Sequence, residues 1–294
     1  MGEKWLVLGH GSVGASLVNR LVRTDGNFAF VYDPKPRLPV PQVPGLQQVG
    51  RGPVPEVDFV AVCVPPAASG VAAAFVRESV PGAPTVFDWT SALPGTKKRA
   101  AEVVAGAWVD IALLDSLDKQ DESALLAVSG PRAAEESGVL RRLGFEVVVV
   151  GREVGDAAQT KLVRSLFMKS LEALVVEARA IGSELDPSGT AWESVERNLG
   201  PIFSGFADLL VVTDATHASR RSVEIAEAVE FARSEGYDPI VAAAAGRALA
   251  QLGALWEIER DVADEGLRAV LDRAIGVFGR VPTPTAEMDD ELRQ

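Results

Sequence analysis

Apolar residues in the first half of the chain come in short continuous runs, with amphipathic stretches between them. The first run, residues 4–8, leads into a glycine-rich turn, and the second, residues 28–32, ends at Asp33. Continuous apolar runs of about four to eight residues that alternate with helical patterns are typical of buried parallel strands joined by helices. The pattern therefore predicts a doubly wound parallel sheet over residues 1–151.

The remaining runs of this half predict further strands, and the amphipathic stretches predict the helices between them. The strands are predicted over residues 57–64, 85–88, 108–112, 124–128 and 145–150. The helices are predicted over residues 15–22, 67–78, 96–104 and 133–143. A proline-rich loop is expected between Asp33 and Pro44.

The pattern changes after Val154, where helical periodicity replaces the short apolar runs. Helices are predicted over residues 157–181, 190–199, 218–234, 239–255 and 261–277. The polar, acidic residues 282–294 are expected to fray. The sequence thus predicts an α/β domain over residues 1–151 and an all-helical domain over residues 152–294.

Gly9, Gly11 and Gly14 have the spacing G-x-G-x-x-G between the first strand and the first helix. In a Rossmann domain these glycines allow the tight turn, the approach of the pyrophosphate and the packing of helix on strand. An acid about twenty residues later, here Asp33, holds the ribose hydroxyls. The order of strand, turn, helix, strand and acid predicts a dinucleotide site, and the alternative is a glycine turn that binds nothing.

The candidate cofactor-binding residues belong to this turn or follow the apolar strands. They are Gly9, His10, Gly11, Ser12, Val13, Gly14, Asp33, Val64, Pro65 and Thr90. A carboxylate at Asp33 accepts hydrogen bonds from a free 2′-hydroxyl and repels a 2′-phosphate, which favours NAD. Lys35 and Arg37 follow closely and are within reach of a 2′-phosphate, so NADP stays open.

Composition excludes several classes of function. Of the 294 residues 47% are hydrophobic and 24% are charged, as in ordinary globular proteins. A net charge of −12 without a basic stripe argues against nucleic-acid and membrane partners. No apolar run reaches the roughly 18 residues of a membrane span, and no signal-like start is found. The single cysteine, Cys63, and only two histidines favour a cytoplasmic protein with no disulfide and no metal site.

Three segments besides the glycine turn have a distinctive pattern: residues 88–96 (DWTSALPGT), residues 155–161 (GDAAQTK), and the stretch from His217 to Pro239. Together the four segments resemble the 6-phosphogluconate/β-hydroxyacid dehydrogenase superfamily, which includes 3-hydroxyisobutyrate dehydrogenases and imine reductases. Residues 88–96 are similar to its D-x-S-[ST]-x-x-P segment, and residues 155–161 to its G-x-[GA]-x-x-x-K segment. The last stretch resembles the C-terminal domain of phosphogluconate-dehydrogenase-like, NAD-binding proteins.

The resemblance implies an NAD(P)-dependent oxidoreductase that moves a hydride between the nicotinamide and a small β-hydroxyacid-type or carbonyl substrate. It implies that Lys161 is the general acid and base, and that Ser91 contacts the substrate. His217, with Arg220 or Arg221, is a candidate clamp for a substrate carboxylate or phosphate. The resemblance also implies that the helical domain pairs with a second copy as a homodimer.

Each of these residues has a simpler structural interpretation. Lys161, Lys169 and Glu172 share one helix face, which can be a solvated face with a Lys169–Glu172 ion pair. Ser91 can bond its own turn, and His217 can belong to a charge-paired helix face. Trp89, in the same turn as Ser91, is a candidate wall of the substrate pocket.

Two departures from the family pattern affect the substrate and the alternatives. Residues 110–116 (DIALLDS) lack the glycine pair of the family's D-x-P-V-S-G-G loop, and Ser165 stands where Asn is usual. These departures keep a non-catalytic NAD(P)-binding sensor or partner protein open. Imine reduction is a second enzymatic alternative, against which Lys161 argues.

Overall fold

The structure is a computed structural model. It describes residues 2–24, 26–36, 38–50, 54–104, 107–115 and 123–279. Three sequence expectations, on Arg37, Ser116 and residues 282–294, lie outside the described residues. The chain divides into two compact units, Met1–Val163 and Arg164–Gln294. The domain boundary after residue 151 stays a prediction.

The first unit is built on one eight-stranded sheet, which confirms the predicted fold class. Its strands are β1 (Lys4–Leu8), β2 (Phe28–Tyr32), β3 (Leu46–Gln48), β4 (Phe59–Val62), β5 (Thr85–Asp88), β6 (Trp108–Leu113), β7 (Leu125–Ser129) and β8 (Glu146–Gly151). They are ordered β3-β2-β1-β4-β5-β6-β7-β8. The strand order reverses beside β1, as in other doubly wound folds.

One neighbouring pair departs from the parallel pattern: β6 and β7 are antiparallel, and the other neighbouring pairs of described strands are parallel. The connection over residues 114–124 is shorter than the dozen or so residues that a parallel crossover needs. The edge strand β3 lies in a stretch for which no strand was predicted. Its three residues are too few to show a period, and they pair with β2 alone.

Helices cover both faces of the sheet. They are α1 (Ser12–Arg23), α2 (Ser69–Ser79), α3 (Pro94–Val103) and α4 (Ala133–Arg142). The side chains of β1 alternate between two cores: Trp5 and Val7 pack with residues of α1 and α4, whereas Leu6 and Leu8 pack with residues of α2 and α3. Because β1 is buried on both faces, its sequence is continuously apolar.

The second unit is helical. Its helices are α6 (Thr190–Leu199), α7 (Pro201–Ser234), α8 (Ile240–Ile258) and α9 (Leu267–Phe278), and α5 (Asp156–Leu185) begins in the first unit and continues into the second. None of the described helices combines the length and hydropathy that crossing a bilayer requires.

Two predicted helix boundaries in this unit are wrong. α7 begins at Pro201 instead of Ala218, because packing stabilises residues 201–217 as helix although Gly205 and the β-branched Val211 and Thr213 are weak helix formers. The helix predicted over 261–277 is broken at Gly266, whose φ is +89°. A 3₁₀ turn precedes this glycine, and α9 follows it.

Candidate active site

The glycine turn joins β1 to α1, and its geometry separates the roles of the three glycines. Gly9 has a φ of +95°, and a Cβ there would lie 2.4 Å from the carbonyl oxygen of Cys63. A Cβ at Gly14 would lie 2.0 Å from the carbonyl oxygen of Gly9, so α1 packs directly on the turn. A Cβ at Gly11 would meet no described atom within 4 Å. Gly9 and Gly14 are thus required by the fold, whereas the space beside Gly11 is open.

The first turn of α1 is available to an anion. Gly11 is its N-terminal capping residue, no described side chain caps it, and its first turn holds no acidic residue. The first amides of a helix lack intrahelical partners and carry the positive end of the helix dipole. The turn therefore has the composition of a phosphate-binding helix start.

Asp33, at the end of β2, is tied to the glycine turn. Its Oδ2 accepts a hydrogen bond from the His10 amide at 2.7 Å, and its Oδ1 accepts one from the Lys35 amide at 2.8 Å. The buried His10 ring lies with Nδ1 3.1 Å from the carbonyl oxygen of Leu38. The turn and the loop after β2 are thus connected twice through one histidine.

The residues predicted to follow the neighbouring strands lie at the same edge of the sheet. β4 and β5 are parallel to β1, so Val64 and Pro65 after β4 and Thr90 after β5 come at the carboxyl ends at which Gly9 follows β1. Thr90 is buried, and both its amide and its hydroxyl donate to Asp88 Oδ1, at 2.9 and 2.7 Å. Thr90 therefore also shapes the turn that carries Ser91.

Lys161 and Ser91 come together in the first unit. Lys161 Nζ donates a hydrogen bond to Ser91 Oγ at 3.0 Å. Ser91 is exposed and Lys161 is half-buried, so a small molecule can approach both groups. A cation and a hydroxyl at this distance can share one substrate oxygen, since both are hydrogen-bond donors.

The start of α5, which carries Lys161, is held by residues that sequence reasoning missed. Asp110 Oδ2 accepts hydrogen bonds from the amides of Gly155 and Ala158 at 3.0 and 3.1 Å. Ser129 Oγ accepts one from the Ala157 amide at 2.9 Å and donates to Asp110 Oδ2 at 3.3 Å. The first turn of α5 is therefore capped by side chains of β6 and β7.

A buried lysine completes this arrangement. Lys97 Nζ is 2.5 Å from Asp110 Oδ1 and donates to the carbonyl oxygens of Asp88 and Ile111, both at 3.0 Å. Lys97 is 1% exposed, and Asp110 and Asp88 are 0% exposed. Lys97, Asp110 and Ser129 are called the capping cluster below. Its signal in the sequence is Asp110, a charged residue inside the otherwise apolar run of β6.

Burial changes the titration of two groups near this edge. It raises the pKa of Asp88, against the opposing effects of Lys97 and the Thr90 hydrogen bonds. Burial also raises the pKa of the Cys63 thiol, and the Asp88 carboxylate adds to this. Cys63 therefore stays a thiol at neutral pH and is a poor nucleophile.

The structure gives Trp89 a different role from the predicted one. Trp89 is buried in the core, where its ring centroid lies 5.3 Å from that of Phe145. The expectation that Trp89 lines a pocket is wrong, because the chain turns its side chain into the sheet while Ser91, two residues later, is exposed.

In the second unit, the arginines that follow His217 form ion pairs with glutamates. His217 lies inside α7 and not at a helix start, because α7 begins at Pro201. Arg221 pairs with Glu172, and Arg220 pairs with Glu224. The expectation of a solvated face with a Lys169–Glu172 ion pair is wrong, because Glu172 is buried. Lys169 Nζ instead lies 3.1 Å from Glu224.

Among the described residues no group of histidine, cysteine and acidic side chains has the arrangement of a metal site.

No model of a known protein family matches the chain. An uncharacterised 28.5 kDa protein of Methanothermus fervidus is 29% identical over 134 residues, which are 46% of this chain and 52% of that protein. The match thus spans about half the length of the curated relative.

Solved structures match nearly the whole chain. A conserved hypothetical protein from Sinorhizobium meliloti has a TM-score of 0.73 and 23% identity, over 94% of this chain and 97% of its own. A conserved protein of unknown function, described as similar to 3-hydroxyacid dehydrogenases, has a TM-score of 0.70 and 25% identity over 87% and 98%. The 3-hydroxyisobutyrate dehydrogenase of Mycobacterium tuberculosis, solved with L-serine, has a TM-score of 0.70 and 15% identity over 92% and 98%.

The chain has the hydroxyacid dehydrogenase fold. The resemblance seen in the sequence is thereby confirmed at the level of the fold. A more distant match to this fold is the reductive aminase of Aspergillus terreus, solved with NADPH and ethyl levulinate (TM-score 0.52, 17% identity, 95% of this chain and all of that one). An imine reductase variant from Myxococcus stipitatus, solved with NAD⁺, has a TM-score of 0.50 at 17% identity, over 94% and 100%.

Within this hydroxyacid dehydrogenase fold, the two departures from the family pattern have ordinary structural surroundings. Residues 110–113 form part of β6, and Asp115 Oδ2, beyond its end, accepts the Leu125 amide at 3.1 Å. Ser165 is buried within α5. Asp115 therefore stabilises the start of β7 at the position where the family pattern has a glycine loop.

Proposed function

We propose that the protein is an NAD(P)-dependent oxidoreductase that interconverts a small hydroxyl compound of the β-hydroxyacid type and its carbonyl form. The observation that carries the proposal is the Lys161–Ser91 hydrogen bond of 3.0 Å, in the same unit as the open glycine turn. The fold supports it, because the same fold occurs in 3-hydroxyisobutyrate dehydrogenase.

The residues of the turn fit a dinucleotide. The uncapped first turn of α1 and the open space at Gly11 leave room and amide donors for the pyrophosphate, supplied by Ser12 and Val13. Two oxygens of Asp33 each accept one amide, and a carboxylate has about four acceptor positions, so Asp33 keeps capacity for ribose hydroxyls. Val64, Pro65 and Thr90 would border the cofactor at the ends of β4 and β5.

Asp33 favours NAD, because its carboxylate repels a 2′-phosphate. Lys35 follows within the same loop, and its amide rather than its side chain is committed to Asp33. Structures of this fold have been solved with NADPH and with NAD⁺. We propose NAD(P) as the cofactor, with NAD preferred.

The nicotinamide, when bound, supplies or accepts the hydride. In the reduction the Lys161 ammonium donates a proton to the substrate oxygen and becomes the neutral amine, and in the oxidation that amine takes the proton back from the hydroxyl. Ser91 Oγ accepts a hydrogen bond from Lys161 Nζ, which orients the lysine, and its hydroxyl donates a second hydrogen bond to the substrate oxygen. The negative charge that develops on this oxygen in the transition state would thus be stabilised by two hydrogen-bond donors that already lie side by side.

The second unit carries two further proposals, a substrate contact and a homodimer. His217 in the second unit is proposed as a substrate contact for an anionic group. Arg220 and Arg221 are engaged by acids, which argues against them as the clamp. A homodimer is proposed because the helical unit exposes large apolar side chains, among them Phe167, Leu209 and Val223.

The first test measures cofactor binding and turnover separately. The purified protein is titrated with NADH and with NADPH by nicotinamide fluorescence. Turnover is then assayed with 3-hydroxyisobutyrate and L-serine as probes. Lys161→Ala should lower turnover by roughly 10²- to 10⁴-fold and leave the Kd for NADH unchanged. Lys98→Ala, an exposed lysine of α3, is the matched control and should change neither quantity.

Imine reduction is a second candidate, favoured by the matches to a reductive aminase and an imine reductase. It is tested with cyclohexanone and allyl amine in the presence of NADPH. Turnover of this mixture that survives Lys161→Ala would favour imine reduction. Binding of NADH without turnover of any probe would favour a sensor, and the absence of cofactor binding would refute the proposal.

A further inference from the structure

The two proposed catalytic side chains are carried by segments that lie far apart in the chain. Ser91 stands in the turn after β5, and Lys161 stands in α5, which starts beyond β8. A hydrogen bond of 3.0 Å between two long-range partners needs both segments to be fixed to a common support. The capping cluster has contacts to both segments.

One contact reaches the serine segment. Lys97 Nζ donates to the carbonyl oxygen of Asp88, three residues before Ser91. The Asp88 side chain continues the connection, because its Oδ1 accepts both donors of Thr90. The main chain that leads into Ser91 is thus fixed from the buried side by an ammonium group.

The other contact reaches the lysine segment. Asp110 and Ser129 accept the amides of Gly155, Ala157 and Ala158. Lys161 follows these residues by about one helical turn, so its side chain rises from the same face of α5. Fixing the height and rotation of this first turn therefore fixes the position of the Lys161 ammonium.

We infer that the capping cluster positions the site: Asp110, held by Lys97, and Ser129 together set the distance between Lys161 and Ser91. This inference rests on the proposed function for its catalytic meaning. A buried ion pair is weak evidence for stability, because its desolvation cost offsets the Coulomb attraction. Here the pair has a geometric use: one ammonium and one carboxylate, both buried, connect the turn after β5 to the start of α5.

The test uses chemical labelling, which needs no substrate. The native protein is acetylated with acetic anhydride from pH 7 to pH 10, and modification of Lys161 is read by mass spectrometry against the exposed Lys4 of β1. The measured quantity is the ratio of Lys161 to Lys4 acetylation. Ser91→Ala removes the hydrogen bond from the Lys161 ammonium to Ser91 and should raise this ratio roughly threefold to tenfold. Ser129→Ala and Lys97→Met should raise the ratio similarly and move the pH profile of Lys161 in the same direction.

The double variants separate positioning from a general structural effect. If the capping cluster acts through the Ser91–Lys161 contact, Ser129→Ala should add nothing to Ser91→Ala. Thr85→Val is the matched control, since it removes a buried hydrogen bond of 2.9 Å from Thr85, at the start of β5, to Glu136 in α4. This control should leave the ratio unchanged. Lys97→Met can lose the fold because Asp110 then lacks its cation, so Ser129→Ala carries the test independently.

An unchanged Lys161 ratio in folded Ser129→Ala, or fully additive effects with Ser91→Ala, would overturn the inference. Where the wild type turns over a probe, Ser129→Ala should lower kcat about threefold to tenfold with little change in KM. A wild type that binds NADH but turns over no probe would count against the proposed function alone. The labelling would still decide whether the capping cluster sets the Lys161–Ser91 distance.

Discussion

Replacing Asp214 with asparagine is expected to remove a pH dependence from the stability of the helical unit. Asp214 lies in α7 and is fully buried, and its Oδ2 accepts a hydrogen bond from Trp256 Nε1 at 2.8 Å. Burial raises the pKa of Asp214 to about 8; the Trp256 bond opposes this, and the neighbouring Glu172 adds to it. Burial also raises the pKa of Glu172, which pairs with Arg221. The Asp214 carboxyl group is therefore protonated at neutral pH.

The sign and size of the effect follow from proton linkage. In the unfolded chain an aspartate loses its proton near pH 4, whereas Asp214 in the folded protein keeps it up to about pH 8. Between these values the folded state binds one more proton, so the free energy of unfolding falls by about 1.4 kcal/mol per pH unit. From pH 5 to pH 7 this amounts to about 3 kcal/mol. Above pH 8 both states are ionised and the slope from this group ends.

Asparagine has nearly the same shape and can still accept from Trp256, but it does not titrate. The unfolding free energy of Asp214→Asn minus that of the wild type should therefore rise with pH by this slope and level off above about pH 8. Urea unfolding followed by circular dichroism at several pH values measures the difference. Asp208→Asn is the control, because this aspartate of α7 is half exposed and pairs with Arg179. A difference that is flat or falls with pH for Asp214→Asn would refute the reasoning.

Three further predictions concern close contacts and the cofactor. Gly14→Ala should abolish NADH binding and destabilise the fold, because a Cβ would lie 2.0 Å from a backbone oxygen; Gly11→Ala should weaken NADH binding at least tenfold in fluorescence titration while the thermal midpoint stays within a few degrees. Gly253→Ala should cost roughly 1–3 kcal/mol in urea unfolding, because its Cβ would lie 2.8 Å from the Ser219 amide nitrogen of α7; Gly182→Ala in α5, where a Cβ meets no described atom within 4 Å, should gain up to about 1 kcal/mol. Asp33→Ser should shift the ratio of the Kd values for NADH and NADPH toward NADPH by about tenfold, and an unchanged ratio would contradict the role of its carboxylate.

The sequence predicts local features of this fold well. The apolar runs of β1, β2 and β5 and the G-x-G-x-x-G turn are set by residues that are neighbours in the chain, so period and spacing are enough to find them. The family resemblance implies that Lys161 and Ser91 both act at the substrate, whereas spacing alone cannot show that residues 70 positions apart form a hydrogen bond.

The missed features depend on contacts between distant segments. Lys97 and Lys98 are adjacent lysines, and nothing local in the sequence shows which of them is buried. Lys97 is the buried one, and it pairs with Asp110 in β6. The predicted start of α7 at Ala218 is wrong because packing on α8 overrides the weak helix propensity of residues 201–217. The antiparallel pairing of β7 with β6 depends on the short connection over residues 114–124. In each case the deciding interaction is tertiary, and a single sequence contains no direct record of it.

The capping of α5 by β6 and β7 also has a consequence for the order of folding. A helix with a local cap can begin as soon as its own residues are available, but the amides of Gly155 and Ala158 find their acceptor 45 and 48 residues earlier. During synthesis β6 and β7 leave the ribosome before α5, so the acceptor is already present when the helix emerges. A circular permutant that places α5 ahead of these strands would reverse that order. Its helix start would then emerge before its acceptors, so during synthesis it would stay uncapped until β6 and β7 have formed.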